Sequence, residues 1–132
     1  MLKKGLVEDA EKRGLSNVTF VDPVSKEKIA DYINATDVST AVLMKNDTFK
    51  TVYPNKVFDY MCCARPILIG IDGVARKLVE DAGAGLFVEP ENADAFITGI
   101  DAMRNDPDRM AAMGKSGRAH VCLLYTSDAA DE

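Results

Sequence analysis

Apolar residues in this chain follow two spacings, one typical of amphipathic helices and one typical of short buried strands. The helical spacing predicts helices at residues 2–13, 26–33, 55–64, 74–82, 93–104 and 107–121. β-Branched or continuous apolar runs predict strands at residues 17–21, 37–43, 67–71 and 86–88. Strands that alternate with helices of about 8–12 residues indicate βαβ units, and therefore a parallel sheet with helices on both faces.

Local signals mark several ends of these helices. Gly14 follows the first helix at the position where glycine commonly ends one. Ser25 precedes the second helix and is a candidate N-cap. Asp106 precedes the last helix as a further N-cap, and Pro107 fits its first turn.

The first predicted element is a helix, and no strand precedes it. We therefore expect an α/β fold built on a Rossmann-like parallel sheet that is incomplete, because the first strand is missing. Such a sheet would have an exposed edge, whose backbone groups need another partner.

Composition limits the classes of protein to which the chain can belong. The 132 residues are enough for one domain, and 47% of them are hydrophobic, so a core is feasible. The net charge is −5, and without the acidic residues at 128, 131 and 132 it is −2, from 16 basic and 18 acidic residues. That balance gives no electrostatic footprint for binding nucleic acid.

The cysteines indicate a reducing compartment. Cys62 and Cys63 are adjacent, so they are poorly placed to bridge each other or to share a metal, and we expect them to be small core residues. A cytoplasmic protein without a disulfide framework or a metal site is the natural interpretation. The sequence has no apolar run near the roughly 20 residues that cross a bilayer.

Asp59 is the first candidate for a chemical role. Val57, Tyr60, Met61 and Ala64 form the apolar stripe of their helix, and Asp59 lies off it. A carboxylate accepts two hydrogen bonds from neighbouring hydroxyls, which suits the diol of a ribose. The alternative is a solvated surface residue that pairs with Lys56, three positions earlier.

Asp72 and Gly73 are the second candidate, because they follow a buried strand and precede a helix. In open α/β sheets, ligands bind beyond the carboxyl ends of the strands, and backbone N–H groups at a helix start can hold an anion. The alternative is an ordinary turn in which Gly73 has a positive φ. We expect Arg76 and Lys77 to be solvated.

Two stretches carry a family resemblance: residues 53–71 (YPNKVFDYMCCARPILIGI) and residues 71–92 (IDGVARKLVEDAGAGLFVEPEN). They resemble the donor-binding domain of the GT-B glycosyltransferases, in particular the bacterial family-4 enzymes that build surface polysaccharides. The resemblance covers about Gly5–Val121. It implies the C-terminal, nucleotide-sugar-binding domain of a two-domain retaining enzyme that works without a metal or other cofactor.

The resemblance also assigns roles to individual residues. Asp59 matches the family's ribose-holding acid, and Thr51 stands eight positions earlier, where the family has a Glu that touches the donor sugar. Pro54 and Lys56 resemble a Pro-x-Lys element of a branch that includes amino-sugar transferases, which would place Lys56 near the phosphates. A solvated Lys56 is the alternative. The expected substrate-binding residues are Thr51, Pro54, Lys56, Asp59, Asp72 and Gly73, and we assign no catalytic residue.

The family's acceptor domain has no counterpart here, and neither has the glycine-rich loop with its basic phosphate-binding residues. We therefore expect the parent to be a glycosyltransferase that binds a nucleoside diphosphate sugar, and this chain to be inactive alone. The resemblance leaves peripheral membrane association of the parent open. A fragment of a sugar-nucleotide 2-epimerase and a small non-enzymatic flavodoxin-like binding domain are the alternatives.

The segment Cys122–Glu132 (CLLYTSDAADE) forms a separate expectation. It resembles the in-frame translation of a transposase adapter used in sequencing libraries, and the family resemblance stops at Val121. We therefore expect residues 1–121 to be the partial domain and residues 122–132 to be a non-native tail. The alternative is an ordinary polar C-terminal tail.

Overall fold

The computed structural model describes residues 2–42 and 55–130 of the chain. Within that part the elements are, in chain order, α1 (Leu2–Lys12), α2 (Lys26–Asn34), β1 (Ser39–Val42), α3 (Asn55–Cys62), β2 (Ile67–Gly70), α4 (Val74–Ala82), β3 (Gly85–Phe87), α5 (Ala93–Arg104) and α6 (Pro107–Ala130). Their order and type agree with the predicted alternation from α2 onward.

The strands form one parallel sheet in the order β1-β2-β3. Thr40 of β1 pairs with Leu68 of β2, and Leu68 pairs in turn with Leu86 of β3. β2 is the central strand of the described sheet, and all of its residues are buried. The prediction of an α/β fold with a Rossmann-like parallel sheet flanked by helices is confirmed.

Two apolar cores lie on opposite faces of β2, because successive side chains of a strand point in opposite directions. On one face, Ile67 and Ile69 pack with residues of α3 and α4, namely Val57, Met61, Ala75 and Val79. On the other face, Leu68 packs with residues of α5 and α6, namely Met103 and Met113. Helices therefore cover both faces, as predicted.

The predicted strand at residues 17–21 is wrong. The structure gives these residues no strand, and Val18, Phe20 and Val21 are exposed. A strand needs a neighbour that completes its backbone hydrogen bonds, and in the described chain only β1, β2 and β3 pair with one another. The β-branched composition of this segment is a local signal that pairing did not support.

The predicted helix ends hold in two of three cases. Gly14 has φ +66°, and the N–H groups of Gly14 and Leu15 donate to carbonyls in the last turn of α1. The Asp106 carboxylate accepts the N–H of Arg109 at 3.2 Å and so caps α6. Ser25 stands at the N-cap of α2, but its side chain makes no capping hydrogen bond.

The last helix is longer than predicted. The sequence pattern ends it at Val121, whereas α6 continues to Ala130. Val121 packs against the core, while the side chain of Leu123 is 71% exposed. Within residues 2–42 and 55–130, the structure contains no helix that combines the length and the apolar character needed to cross a bilayer.

Candidate functional site

The predicted site residues lie in two places. Lys56 and Asp59 lie one turn apart on α3, and both are exposed. Asp72 and Gly73 form the turn between β2 and α4, beyond the carboxyl end of the central strand. Thr51 and Pro54 lie outside the described residues.

Helix α3 is anchored through its apolar face. Val57 and Met61 are fully buried against the sheet, which turns Lys56 and Asp59 outward. In the described part of the chain, no ion pair joins Lys56 to Asp59, so the structure does not support the alternative in which Asp59 is occupied by Lys56. An ammonium group and a carboxylate are thus presented separately on one rigid helix.

A cleft of about 410 Å³ lies between α2, β1 and α3, and Lys56 and Asp59 border it. Apolar and hydroxyl-bearing side chains form the rest of its wall, namely Ile29, Tyr32, Ile33, Thr36, Val38, Ser39, Thr40 and Tyr60. Asp72 and Gly73 do not line this cleft. Among the residues that the structure describes, this cleft therefore holds only the α3 half of the predicted site.

Internal hydrogen bonds already engage several hydroxyl groups of the cleft wall. Thr36 Oγ1 is 2.9 Å from Ser39 Oγ, and Thr40 Oγ1 donates to the Leu68 carbonyl at 2.8 Å. Tyr60 Oη donates to the Thr40 carbonyl at 3.0 Å. The charged groups at the border, Lys56 and Asp59, therefore offer more to a polar ligand than the wall does.

Asp59 affects the protonation of its neighbours on α3. Burial raises the pKa of Tyr60, and the Asp59 carboxylate raises it further. The pKa of the Cys62 thiol is also raised, first by desolvation and then by Asp59. Cys62 is exposed, contrary to the expected core position, but its raised pKa keeps it a protonated thiol and a poor nucleophile.

The turn at Asp72 and Gly73 is stabilised from within. Gly73 has φ +89° and ψ −131°, a conformation that residues with a Cβ rarely adopt. The Asp72 carboxylate oxygen Oδ1 accepts the Gly73 N–H at 2.7 Å. Among the backbone donors at the start of α4, the N–H of Gly73 is therefore engaged by the adjacent carboxylate.

Arg76 is more constrained than the sequence predicted. Its guanidinium lies 4.0 Å from the centroid of the Phe87 ring, and its Nε lies 2.6 Å from Glu80. Its Nη1 is also 3.5 Å from Asp72, and the side chain is 41% exposed. These contacts tie the first turn of α4 to β3 and to the Asp72 turn, whereas Lys77 is exposed as expected.

Metal-ligating side chains do not gather in groups of three or more His, Cys, Asp or Glu anywhere in the described ranges. The described site residues offer charged and hydrogen-bonding groups. A carboxylate and an ammonium group lie on α3, and a glycine turn opens α4.

The sequence profile of the family "Glycosyl transferases group 1" matches residues 2–120. Among curated proteins, the chain is similar to a D-inositol 3-phosphate glycosyltransferase of Rhodococcus opacus, with 25% identity over 117 residues. That match covers 88% of this chain and 25% of the relative. Several curated relatives align with most of this chain, and the chain spans about a quarter of the length of those relatives.

Solved structures agree on the fold. Sucrose-phosphate synthase from Thermosynechococcus elongatus superposes with a TM-score of 0.80 at 24% identity, over 92% of this chain and 29% of that one. Anabaena Alr3699/HepE in complex with UDP-glucose superposes with a TM-score of 0.76 at 21% identity, over 89% of this chain and 31% of that one.

Proposed function

The chain belongs to the glycosyl transferases group 1 family, and we propose that it is the donor-binding part of a retaining, family-4 glycosyltransferase. Its ligand is a nucleoside diphosphate sugar. The observation that carries this proposal is the exposed Asp59 carboxylate, held on a helix whose opposite face is fully buried. Membership in a transferase family disfavours the epimerase and flavodoxin-like alternatives.

Asp59 is proposed to hold the ribose of the donor. Burial of Val57 and Met61 fixes the helix, so the carboxylate needs little reorganisation to accept hydrogen bonds from two hydroxyls. Lys56 lies one turn nearer the helix start, where its ammonium group can approach the diphosphate. The absence of an ion pair between these two side chains supports separate roles for them.

The turn before α4 is proposed to face the diphosphate. Gly73 lets the backbone approach a ligand closely, and the start of a helix favours negative charge. Because Asp72 accepts the Gly73 N–H, the free donors for a phosphate are expected among the N–H groups that follow, at Val74 and Ala75.

Thr51 and Pro54 are proposed to lie beside the donor through the family resemblance. Thr51 replaces the family's acidic contact to the sugar, so the sugar specificity is expected to differ from that of members with the Glu. Pro54 and Lys56 form the Pro-x-Lys element of the amino-sugar branch.

The parent enzyme is proposed to work at the cytoplasmic side in surface-polysaccharide synthesis, with peripheral membrane association through parts outside this chain. The HepE structures contain UDP-glucose or UDP, which supports a nucleotide sugar as the partner of this fold. Catalysis would need an acceptor domain, which we propose lies in the remainder of the parent. This chain alone is proposed to bind the donor without transferring its sugar.

Calorimetry with UDP on the wild-type chain, Asp59→Ala and Asp59→Asn tests the ribose contact. Loss of hydrogen bonds to a charged group should weaken UDP binding by about 1.5–3 kcal/mol in Asp59→Ala. Asp81→Ala, which removes an exposed carboxylate from α4, is the matched control and should bind UDP like the wild type. Equal affinity of wild type and Asp59→Ala would reject the role of Asp59.

A further inference from the structure

The last carbonyls of an α-helix lack intrahelical partners and must be satisfied from elsewhere. At the end of α3, N–H groups of residues 63–65 donate to the carbonyls of residues 59–61. None of these three N–H groups donates to the carbonyl of Cys62. Arg118 of α6 donates to it from Nη1 at 3.0 Å, across 56 positions in sequence.

The end of α4 repeats this arrangement. The N–H groups of Gly83 and Ala84 donate to the carbonyls of Glu80 and Val79. The carbonyl of Ala82, the last residue of α4, accepts a hydrogen bond at 2.5 Å from the hydroxyl of Ser116. One helix, α6, therefore supplies a side-chain donor to the final carbonyl of each of two other helices.

Glycines let α6 approach closely enough for these contacts. A Cβ on Gly114 would lie 2.2 Å from the Ala64 carbonyl oxygen, in the turn that follows α3. A Cβ on Gly117 would lie 2.9 Å from the Cβ of Ala84 and 3.4 Å from Met61 Cγ. Backbone and small side chains thus define the distance between α6 and the ends of α3 and α4.

These two helices carry the two halves of the proposed site, with Asp59 on α3 and Gly73 at the start of α4. We propose that Arg118 and Ser116 are positioning residues. They fix the position of α3 relative to α4 and so place Asp59 relative to the Gly73 turn. Neither residue lines the cleft that Lys56 and Asp59 border. A helix is internally hydrogen-bonded, so displacement of its last turn also moves the side chains nearer its start. This inference rests on the proposed function.

NMR titration of the full chain with UDP, which detects weak binding, provides the test in a double-mutant cycle. Arg118→Ala should weaken UDP binding about three- to tenfold. The same substitution should have less than about a twofold effect in an Asp59→Ala background, because the displaced carboxylate is already absent. Ser116→Ala, which acts on α4, should weaken binding by the same factor with and without Asp59.

Arg118→Lys keeps a cationic donor and should restore most of the affinity. Thermal unfolding of each variant shows whether the affinities refer to folded protein. If Arg118 contributed only to stability, the UDP affinity of the folded Arg118→Ala protein would equal that of the wild type. Binding of UDP with the same Arg118→Ala effect in both backgrounds would overturn the positioning role and leave the proposed function standing. No UDP binding by the wild type would overturn both.

Discussion

The hydroxyl of Tyr60 on α3 donates a hydrogen bond to the carbonyl oxygen of Thr40 on β1 at 3.0 Å. In the described sheet β1 pairs only with β2, so this bond attaches a helix to the backbone of an edge strand. Tyr60 follows Asp59 directly in the sequence. The bond therefore links the proposed ribose contact to the sheet on which the cleft is built.

Tyr60→Phe should reduce the free energy of unfolding by about 0.5–1.5 kcal/mol, because it removes one hydrogen bond without removing the ring. Urea denaturation measures the difference. Tyr32→Phe is the matched control, since Tyr32 is exposed and lines the same cleft. That variant should stay within about 0.5 kcal/mol of the wild type. Equal stability of the Tyr60→Phe variant and the wild type would contradict this account.

The raised pKa of Tyr60 makes the same bond sensitive to alkaline pH. The folded state holds the phenolic proton more tightly than the unfolded state, whose pKa is near 10.0. The stability from this group is therefore complete below pH 10 and falls as the pH rises through the folded-state value. The gap in unfolding free energy between wild type and Tyr60→Phe should narrow above that pH. If this difference in unfolding free energy stayed constant or widened, the predicted direction of the pH effect would be wrong.

Ala64, two residues after α3, and Gly83, directly after α4, both have a left-handed backbone, with φ of +55° and +62°. The N–H of each donates to the carbonyl three positions earlier. A left-handed conformation costs a residue with a Cβ about 1–2 kcal/mol. A glycine, in turn, lowers the stability of the fold by about 0.4–1 kcal/mol, because it gives the unfolded chain more conformational entropy. Ala64→Gly should therefore raise stability by up to about 1 kcal/mol.

The reverse substitution, Gly83→Ala, should lower stability by at least about 1 kcal/mol, because its Cβ would also lie 3.0 Å from Ser116 Oγ. Differential scanning calorimetry of both variants provides the comparison. A loss of stability in Ala64→Gly would mean that the alanine methyl group contributes packing that outweighs the strain.

Sequence reasoning mostly succeeded where the signal was local, with the missing Ser25 capping bond as an exception, and failed where the outcome depended on distant partners. Gly14 and Asp106 were identified as helix-end residues because each acts within a few positions of itself. The segment at residues 17–21 has strand-like composition, but a strand forms only beside a neighbour, which composition cannot supply. The element order from α2 onward followed from the spacing of apolar residues, and the buried character of β2 followed from its continuous apolar run.

The same division applies to the candidate site. Asp59 could be selected from the sequence because it lies off the apolar stripe of its own helix. Arg76 was expected to be solvated, whereas it contacts the Phe87 ring. That contact joins two separate elements, so no local pattern in the sequence indicates it. Arg118 and Ser116 gave no sequence signal at all, because each acts on a carbonyl more than thirty positions away.

Deletion of residues 122–132 should change the free energy of unfolding by less than about 0.5 kcal/mol, the range typical of surface changes. This rests on the adapter-like sequence and on the exposure of Leu123. A control deletion from Val121 onward should be more costly, because Val121 packs against the core. Thermal unfolding measures both, and a large loss on deleting residues 122–132 alone would identify the segment as part of the native domain.

The purified chain should release no nucleoside diphosphate above the uncatalysed background when incubated with sugar nucleotides and acceptor lipids. Holding two substrates in reactive geometry can supply roughly 7–11 kcal/mol of a barrier, and the described residues offer contacts for one substrate only. Asp59 and the Gly73 turn are proposed to bind the donor but not the acceptor. The chain should therefore bind the sugar nucleotide without transferring its sugar. Coupled-enzyme detection of the released diphosphate, with the Asp59→Ala variant as the background control, makes the measurement. Acceptor-dependent release by the wild type, lost in that variant, would mean that this chain also places the acceptor.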